Sequence, residues 1–560
     1  MTDSRPSFWS RRFRQILSFA IFGDPWGTVA GLYWFLTRRR VRGWGKILRA
    51  AAMAKPAYRR WVANSERRAF EAYCALHPVS GRASLQIVLV GQDQARLISL
   101  DSMPTHPLGQ ARAVRVAAAT VAENGEALPS AIGPALDVLA HKSDWIVPLL
   151  ERDFLSDQTV DIVERAIAGA PDARLIYWDE DVIERGQRSD PWIKPGWDEL
   201  LFSRLGGLVG ASALSIPAAR EAAKGLPDLK LDREGLESLL LAIARSAPQR
   251  VAHIALVLTH RSESTRLPQT LASGLPSKNL ANGAQPAPKV SLIVPTRDRA
   301  NLLSACMRGI WATNYGGQLE VIIVDNGTVD PEALRIIQEQ KALGAKVIRD
   351  DLPFNFSRLN NAAAEIASGE FLCFFNNDVE PLDAEWLNVM MGYAVAERAG
   401  AVGALLLYPS GRVQHAGVVV GMGGAAGHVQ KGVRPDEIRH RTWHSVTREV
   451  SAVTAAVMIV RKSNFESVGR FDETAFPVAF NDVDLCLRLK KSGLRNIFVA
   501  EARLLHRESE SRGSDGRPER AAKFAAELRA LHKRWGTETL DDPHFSPLFL
   551  RSVEQCVLVP

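Results

Sequence analysis

The sequence predicts an α/β protein built on a mostly parallel sheet, and three observations predict it. Short apolar, β-prone runs alternate with amphipathic stretches between Lys289 and Phe375. Two of the runs end in a carboxylate, Val321-Ile322-Ile323-Val324-Asp325 and Phe371-Leu372-Cys373-Phe374-Phe375-Asn376-Asn377-Asp378. Right-handed βαβ connections place both carboxylates on the same edge, which is where open α/β sheets bind ligands.

Taken in order, Val290 to Val294 reads as a strand that breaks at Pro295 into the polar loop Thr296-Arg297-Asp298-Arg299. A helix is expected from Asn301 to Ala312, then a strand from Leu319 to Asp325 with a turn at Asn326-Gly327. Pro331 suits the first turn of a helix running to Leu343. Lys346 to Ile348 is a third strand, Asn360 to Ala367 a helix, and Phe371 to Phe375 the fourth strand. Asp378 can be a turn residue, or it can offer a hard oxygen to Mg²⁺ or Mn²⁺ beside a diphosphate. Asp482 heads an amphipathic stretch through Leu489, where it can cap a helix or take a proton. Gln414-His415 suggests a packed turn and receives no chemistry.

The strings VSLIVPTRDR, VIIVDNG, FNFSRLNNAA, FFNNDVEP, VQHAGV, REVSAVT, FNDVDLCLR and HRESESRG, in this order, resemble family 2 glycosyltransferases of the GT-A fold. The spacing is similar to the rhamnosyltransferase-like branch that builds bacterial surface polysaccharides. The likeness runs from about Pro288 to Gly513. It implies an inverting, metal-dependent transferase using a UDP-, dTDP- or GDP-linked donor and a saccharide or lipid-linked acceptor. By this resemblance Pro295, Thr296, Arg297 and Asp298 line the base pocket, and Asp325 with Asn326 contacts the nucleoside. Asp378 and His506 hold Mg²⁺ or Mn²⁺, with Asn376 and Asn377 filling the rest of the DxD-type position. Asp482 is the general base with Asp484 beside it, and Arg512 helps neutralise the diphosphate.

The remaining chain is read as four further segments. Residues 1–80 form a basic, aromatic-rich helical segment, 81–261 an α/β domain, 262–288 a Ser/Pro/Gly-rich linker and 516–560 a C-terminal helix and tail around the catalytic unit 289–515. The 81–261 region resembles the N-terminal half of tandem family 2 transferases, a degenerate copy in which Thr259-His260-Arg261 echoes Leu505-His506-Arg507. Asp179-Glu180-Asp181 is expected to be a solvated loop.

Residues 1–68 carry 15 Lys or Arg and 3 Asp or Glu, a local charge of +12 against +7 for the whole chain. Basic residues interleaved with Trp and Phe fit an anionic membrane surface, and no nucleic-acid motif accompanies them. Asp24-Pro25 interrupts the apolar stretch Ile16 to Leu36, so a membrane span is not expected, and no signal peptide is recognised. The five scattered cysteines form no framework or zinc site. The expected location is therefore cytoplasmic, peripheral at the inner face of the membrane. Gly421-Met422-Gly423-Gly424 lacks the helix and acid of a dinucleotide fingerprint and reads as a flexible loop over the site. The other function carried forward is a catalytically inactive saccharide-binding or scaffold protein of an assembly complex.

Overall fold

In the computed structural model, the described residues are 11–37, 40–52, 55–78, 84–91, 95–98, 105–108, 112–116, 126–265, 287–436, 440–507 and 518–559. Arg512 and most of the expected linker lie outside them.

The C-terminal unit is organised by one mixed sheet. Its strand order is Lys346–Arg349, Leu319–Asp325, Val290–Thr296, Phe371–Phe375, Val457–Arg461, Ala399–Leu407, Arg495–His506 and Val379–Pro381. The first four strands are parallel, as the alternating pattern predicts. Three of them, Leu319–Asp325, Val290–Thr296 and Phe371–Phe375, are mostly apolar and buried, as in a sheet covered on both faces, whereas the edge strand Lys346–Arg349 is half charged and partly exposed. Val290–Thr296 is buried throughout, and Leu303, Cys306, Met307 and Ile310 of the following helix pack on one side of it. Val457–Arg461 runs antiparallel to both its neighbours. Val379–Pro381 closes the far edge antiparallel to Arg495–His506, with Val379 opposite His506.

The helices start where the expected residues allow. Pro331 opens Pro331–Ala342, and Asp330 caps it by accepting the Glu332 amide at 3.0 Å. The helix placed from Asn360 begins earlier, at Phe356, because Asn355 accepts the Arg358 amide and supplies the N-cap.

The described residues of the N-terminal α/β unit form an eleven-stranded sheet, in which six neighbouring strands run in the order Leu85–Val90, Trp145–Leu150, Ser212–Ser215, Leu175–Glu184, Val251–Arg261 and Phe154–Ser156. Their relative directions repeat those of Val290–Thr296, Phe371–Phe375, Val457–Arg461, Ala399–Leu407, Arg495–His506 and Val379–Pro381. The order in which the chain visits them is also the same. Beyond Leu85–Val90 the two units part, since its outer neighbour is the antiparallel Ala95–Ile98. Asp179, Glu180 and Asp181 do not form a solvated loop. They lie on Leu175–Glu184 and are fully buried, because Lys194, Arg261, Arg188 and two histidines supply partners that a sequence window does not show.

The two units touch directly. Asp198 caps helix Glu199–Leu205 with one oxygen and accepts the Glu449 amide of the other unit with the second, at 2.9 Å. The Gly196 amide donates to the Pro543 carbonyl at 2.7 Å. Five helices between Arg11 and Leu76 cover the junction. Tyr58 donates to Asp181 at 2.7 Å, and the Trp61 indole donates to the Val559 carbonyl at 2.9 Å. Asp24 caps Pro25–Leu36 and so ends the preceding helix. No helix among the described residues is long and apolar enough to cross a membrane.

Gly421–Gly424 is not a free lid. It is the turn of a hairpin between Val418–Val420 and Ala426–His428. The C-terminal tail clamps it: the Gly423 amide donates to the Arg551 carbonyl, and a Cβ on Gly421 would come within 2.5 Å of the Leu540 carbonyl.

Candidate functional site

The carboxyl ends of the parallel strands meet in one chain of contacts. Thr296 closes its strand opposite Asp325. Its carbonyl accepts the Asn326 amide at 2.8 Å, and its hydroxyl accepts the Asn377 side-chain amide at 2.9 Å. Asn376 is joined through its amide to the Ala456 carbonyl at 2.9 Å. The neighbouring Ala455 amide donates to Asp482 at 3.2 Å. Segment 455–456 therefore ties the 376–378 turn to Asp482, across more than a hundred residues of sequence.

Asp325 is buried, with Oδ1 accepting the Thr328 amide at 2.8 Å and Oδ2 accepting Arg349 Nη1 at 2.6 Å. Arg349 was not anticipated, and its position at the end of a short edge strand gave no signal. The Asn326 side-chain amide donates to the Asp350 and Leu352 carbonyls at 2.9 Å, while its Oδ1 is buried with no hydrogen-bond partner. The Pro295-to-Asp298 loop is shaped by consecutive left-handed residues, Asp298 and Arg299 at φ 53° and 56°. Such backbone costs about 1–3 kcal/mol. It is held by the Asp298 carboxylate, which accepts the Val329 and Asp330 amides at 2.8 and 2.9 Å. These two bonds hold Asp298 below the usual carboxylate range. Arg297 projects outward, its nearest carboxylate being that of Asp298 at 3.8 Å.

Asp378 and His506 face each other across the edge pairing, His506 Nε2 lying 3.1 Å from Asp378 Oδ1. The other ring nitrogen, Nδ1, is 2.7 Å from Gln414 Oε1. Both neighbours are oxygen acceptors; with Nδ1 donating to Gln414, Nε2 is the nitrogen on the Asp378 side that would ligate an ion, which is how an outer partner orients a ligating histidine. Gln414 was given no chemistry from the sequence, and only the fold carries it to His506. Among the described residues no three His, Cys, Asp or Glu side chains cluster closely enough to enclose a metal ion. One carboxylate and one imidazole, with diphosphate oxygens completing the shell, fit a hard divalent ion of the Mg²⁺ or Mn²⁺ type.

Asp482 and its near neighbour Asp484 differ in use. Asp482 lies in the first turn of Asn481–Lys491, after Phe480 held in the left-handed region at φ 59°. Burial pushes its carboxyl up, against the opposing pull of the Ala455 and Val483 amides. Asp484 is fully buried away from that turn's mouth. Its oxygens accept Arg488 Nε at 2.9 Å, Arg534 Nη1 at 2.9 Å and the Trp535 indole at 3.0 Å. It anchors the C-terminal helix Pro518–Trp535.

A sheet of this order, with carboxylates at the carboxyl ends of its parallel half, is the GT-A arrangement. Residues 291–466 match the family model Glycosyl transferase family 2, and the chain carries a glycosyltransferase domain of that family. It is 34% identical over 442 residues to the uncharacterized protein y4gI of Sinorhizobium fredii, a match covering 72% of this chain and 48% of that protein. It is 33% identical to the O-antigen biosynthesis protein RfbC of Myxococcus xanthus, over 75% of this chain and 35% of that protein. The chain thus spans less than half the length of either. An N-acetylglucosaminyl-diphospho-decaprenol L-rhamnosyltransferase of Mycobacterium tuberculosis is 26% identical over 38% of this chain and 72% of its own. Among solved structures, a mannosyltransferase of Pyrobaculum calidifontis in complex with GDP-Man and Mn²⁺ aligns at 18% identity and TM-score 0.34, over 48% of this chain and 72% of that chain.

Proposed function

We propose that the C-terminal unit is an inverting, metal-dependent transferase moving a sugar from a nucleotide-diphosphate donor to a saccharide or lipid-linked acceptor in surface polysaccharide synthesis. The convergence of Asp325, Asp378, His506 and Asp482 on one sheet edge, linked through Thr296 and segment 455–456, carries this reading. The named relatives in O-antigen and rhamnosyl chemistry support it.

In this reading Asp325 and the Pro295-to-Asp298 loop receive the nucleoside. Asp378 and His506, the latter oriented by Gln414, hold the Mg²⁺ or Mn²⁺. When bound, the ion stabilises charge developing on the departing diphosphate. Arg512 remains a candidate to assist it. Asp482 takes the proton of the attacking acceptor hydroxyl as the new glycosidic bond forms and the bond to the diphosphate breaks. A base on the face opposite the leaving group gives inversion. Asp484 already meets three donors, so the base assignment rests on Asp482 alone. Nucleotide diphosphate release from a panel of UDP-, dTDP- and GDP-sugars, with Mn²⁺ or EDTA, tests the class. Metal-dependent release from one donor is expected. Absence of both release and a donor-induced melting shift would favour the inactive scaffold.

The N-terminal helices are proposed to seat the protein on an anionic membrane. Trp26, Val29, Tyr33 and Leu36 share one face of Pro25–Leu36 and are exposed, Trp26 by 84% and Leu36 by 70%. Cations lie over two other rings of this segment, Lys46 over Trp34 of the same helix and Arg60 over Phe22 of the preceding one. Such a face inserts at the headgroup boundary. Burying each large side chain contributes about 1.5–3 kcal/mol, so Trp26→Ser with Tyr33→Ser is expected to weaken binding to phosphatidylserine vesicles by at least ~10-fold. Unchanged co-sedimentation would remove the membrane role.

A further inference from the structure

The registers of the two sheets place Asp153 where Asp378 stands. Val379 pairs with His506 at the edge of the C-terminal unit, and Phe154 pairs with His260 at the corresponding edge of the N-terminal one. Asp153 immediately precedes Phe154 as Asp378 precedes Val379. His260 thus corresponds to His506, and Arg261 to Arg507.

The chemistry at the two positions differs. His260 does not face Asp153; its Nδ1 lies 2.6 Å from Asp181 Oδ1. Asp153 instead accepts Arg261 Nη1 at 3.2 Å, the Ser262 amide at 3.1 Å and the Thr265 hydroxyl. Arg261 also grips Glu180 with two nitrogens, Nε to Oε1 at 2.7 Å and Nη2 to Oε2 at 2.8 Å, and donates to the Val209 carbonyl at 2.8 Å. Lys194 completes the group, donating to Glu180 at 3.0 Å and to the Trp178 and Gly207 carbonyls at 2.8 and 2.9 Å. Asp153, Glu180, Lys194 and Arg261 are all at most 1% exposed.

In that cluster the Arg261 guanidinium lies between Asp153 and Glu180 and Lys194 engages Glu180, so the carboxylate that matches Asp378 already faces a cation; Asp179 and Glu237 lie within electrostatic reach of the same two cations. A bidentate guanidinium–carboxylate pair is strong and directional, and breaking a buried pair leaves an uncompensated charge. The nucleoside side is altered as well. Among the described residues the parallel strand that carries Asp325 has no counterpart, and the antiparallel Ala95–Ile98 occupies that edge of Leu85–Val90.

We propose that the N-terminal α/β unit is a duplicate of the transferase unit in which the Arg261 guanidinium has taken the place of the divalent ion, leaving one metal site per chain. This rests on the reading of Asp378 and His506 as metal ligands. The N-terminal unit then acts as a metal-free platform against which the transferase unit and the basic helices pack.

Mn²⁺ titration of the full chain with UDP, dTDP or GDP present to supply the diphosphate oxygens, read by the electron paramagnetic resonance of free Mn²⁺ against a nucleotide-only control, tests this. One Mn²⁺ is expected per wild-type chain and none per Asp378→Asn chain. A second Mn²⁺ that survives Asp378→Asn would overturn the replacement while leaving the transferase site standing. No Mn²⁺ on the wild type would overturn both. In the Asp378→Asn background, adding Arg261→Ser is expected to create a Mn²⁺-dependent rise in melting temperature that Asp378→Asn alone lacks. A soluble double variant without that rise would also overturn the replacement, and the stoichiometry decides the matter if the double variant does not fold.

Discussion

Asp482→Asn is expected to lower sugar transfer by about 10²- to 10⁴-fold, the usual worth of a positioned general base, while donor binding stays near wild type. Asn caps a helix about as well as Asp, so a residue that only caps Asn481–Lys491 would leave the rate unchanged. Single-turnover transfer and donor-induced melting shifts separate the two roles. The wild-type pH profile gives a further check. Burial raises the Asp482 carboxyl above its ordinary value near ~4. The base works deprotonated, so transfer should fall as pH drops through that raised value. An acid limb no higher than an ordinary carboxylate would count against the assignment.

Asp378→Asn is expected to abolish the Mn²⁺ dependence of nucleotide diphosphate release and to lower release by at least ~10²-fold. An ion stabilising the leaving group supplies several kcal/mol, and each 1.36 kcal/mol is tenfold. The substitution keeps the volume of a nearly fully buried side chain and leaves the Asp378 carbonyl free to accept the Arg507 amide at 2.9 Å. Folding should therefore survive, as a circular dichroism melt would verify. Retained Mn²⁺-dependent release would move the metal elsewhere.

The parallel half of the C-terminal sheet was legible because each of its strands is a contiguous apolar run bounded by turn residues, which local periodicity reports. The paired carboxylates Asp325 and Asp378 followed from topology alone, since parallel strands share a carboxyl edge. The resemblance put the base at Asp482 with Asp484 beside it, but the different surroundings of the two carboxylates were not legible. Two carboxylates two residues apart look alike in a window, but a helix turns them about 200° apart, one toward Ala455 and the other toward Arg534 and Trp535. Asn326 likewise reads as a site residue, yet its amide is consumed by the Asp350 and Leu352 carbonyls.

Buried charge was where sequence reading failed most. Asp179-Glu180-Asp181 reads as solvated because unpaired carboxylates are almost never fully buried. The partners that reverse this come from positions 188, 194, 253, 260 and 261, and no local rule links them. The glycine-rich 421–424 turn reads as mobile for the same reason, since the tail residues that clamp it lie more than a hundred positions away.

The transferase family of the C-terminal unit and the alternation of its strands and helices could be read from the residues in order. Those properties depend on short-range periodicity and on motifs contained in a few consecutive residues. The tertiary structure alone decided which carboxylates are already paired, that Gln414 reaches His506, that six strands of the N-terminal unit repeat the C-terminal order, and that Arg261 neutralises the position matching Asp378. Those outcomes depend on burial and on long-range strand register, which bring together charges that lie far apart in sequence.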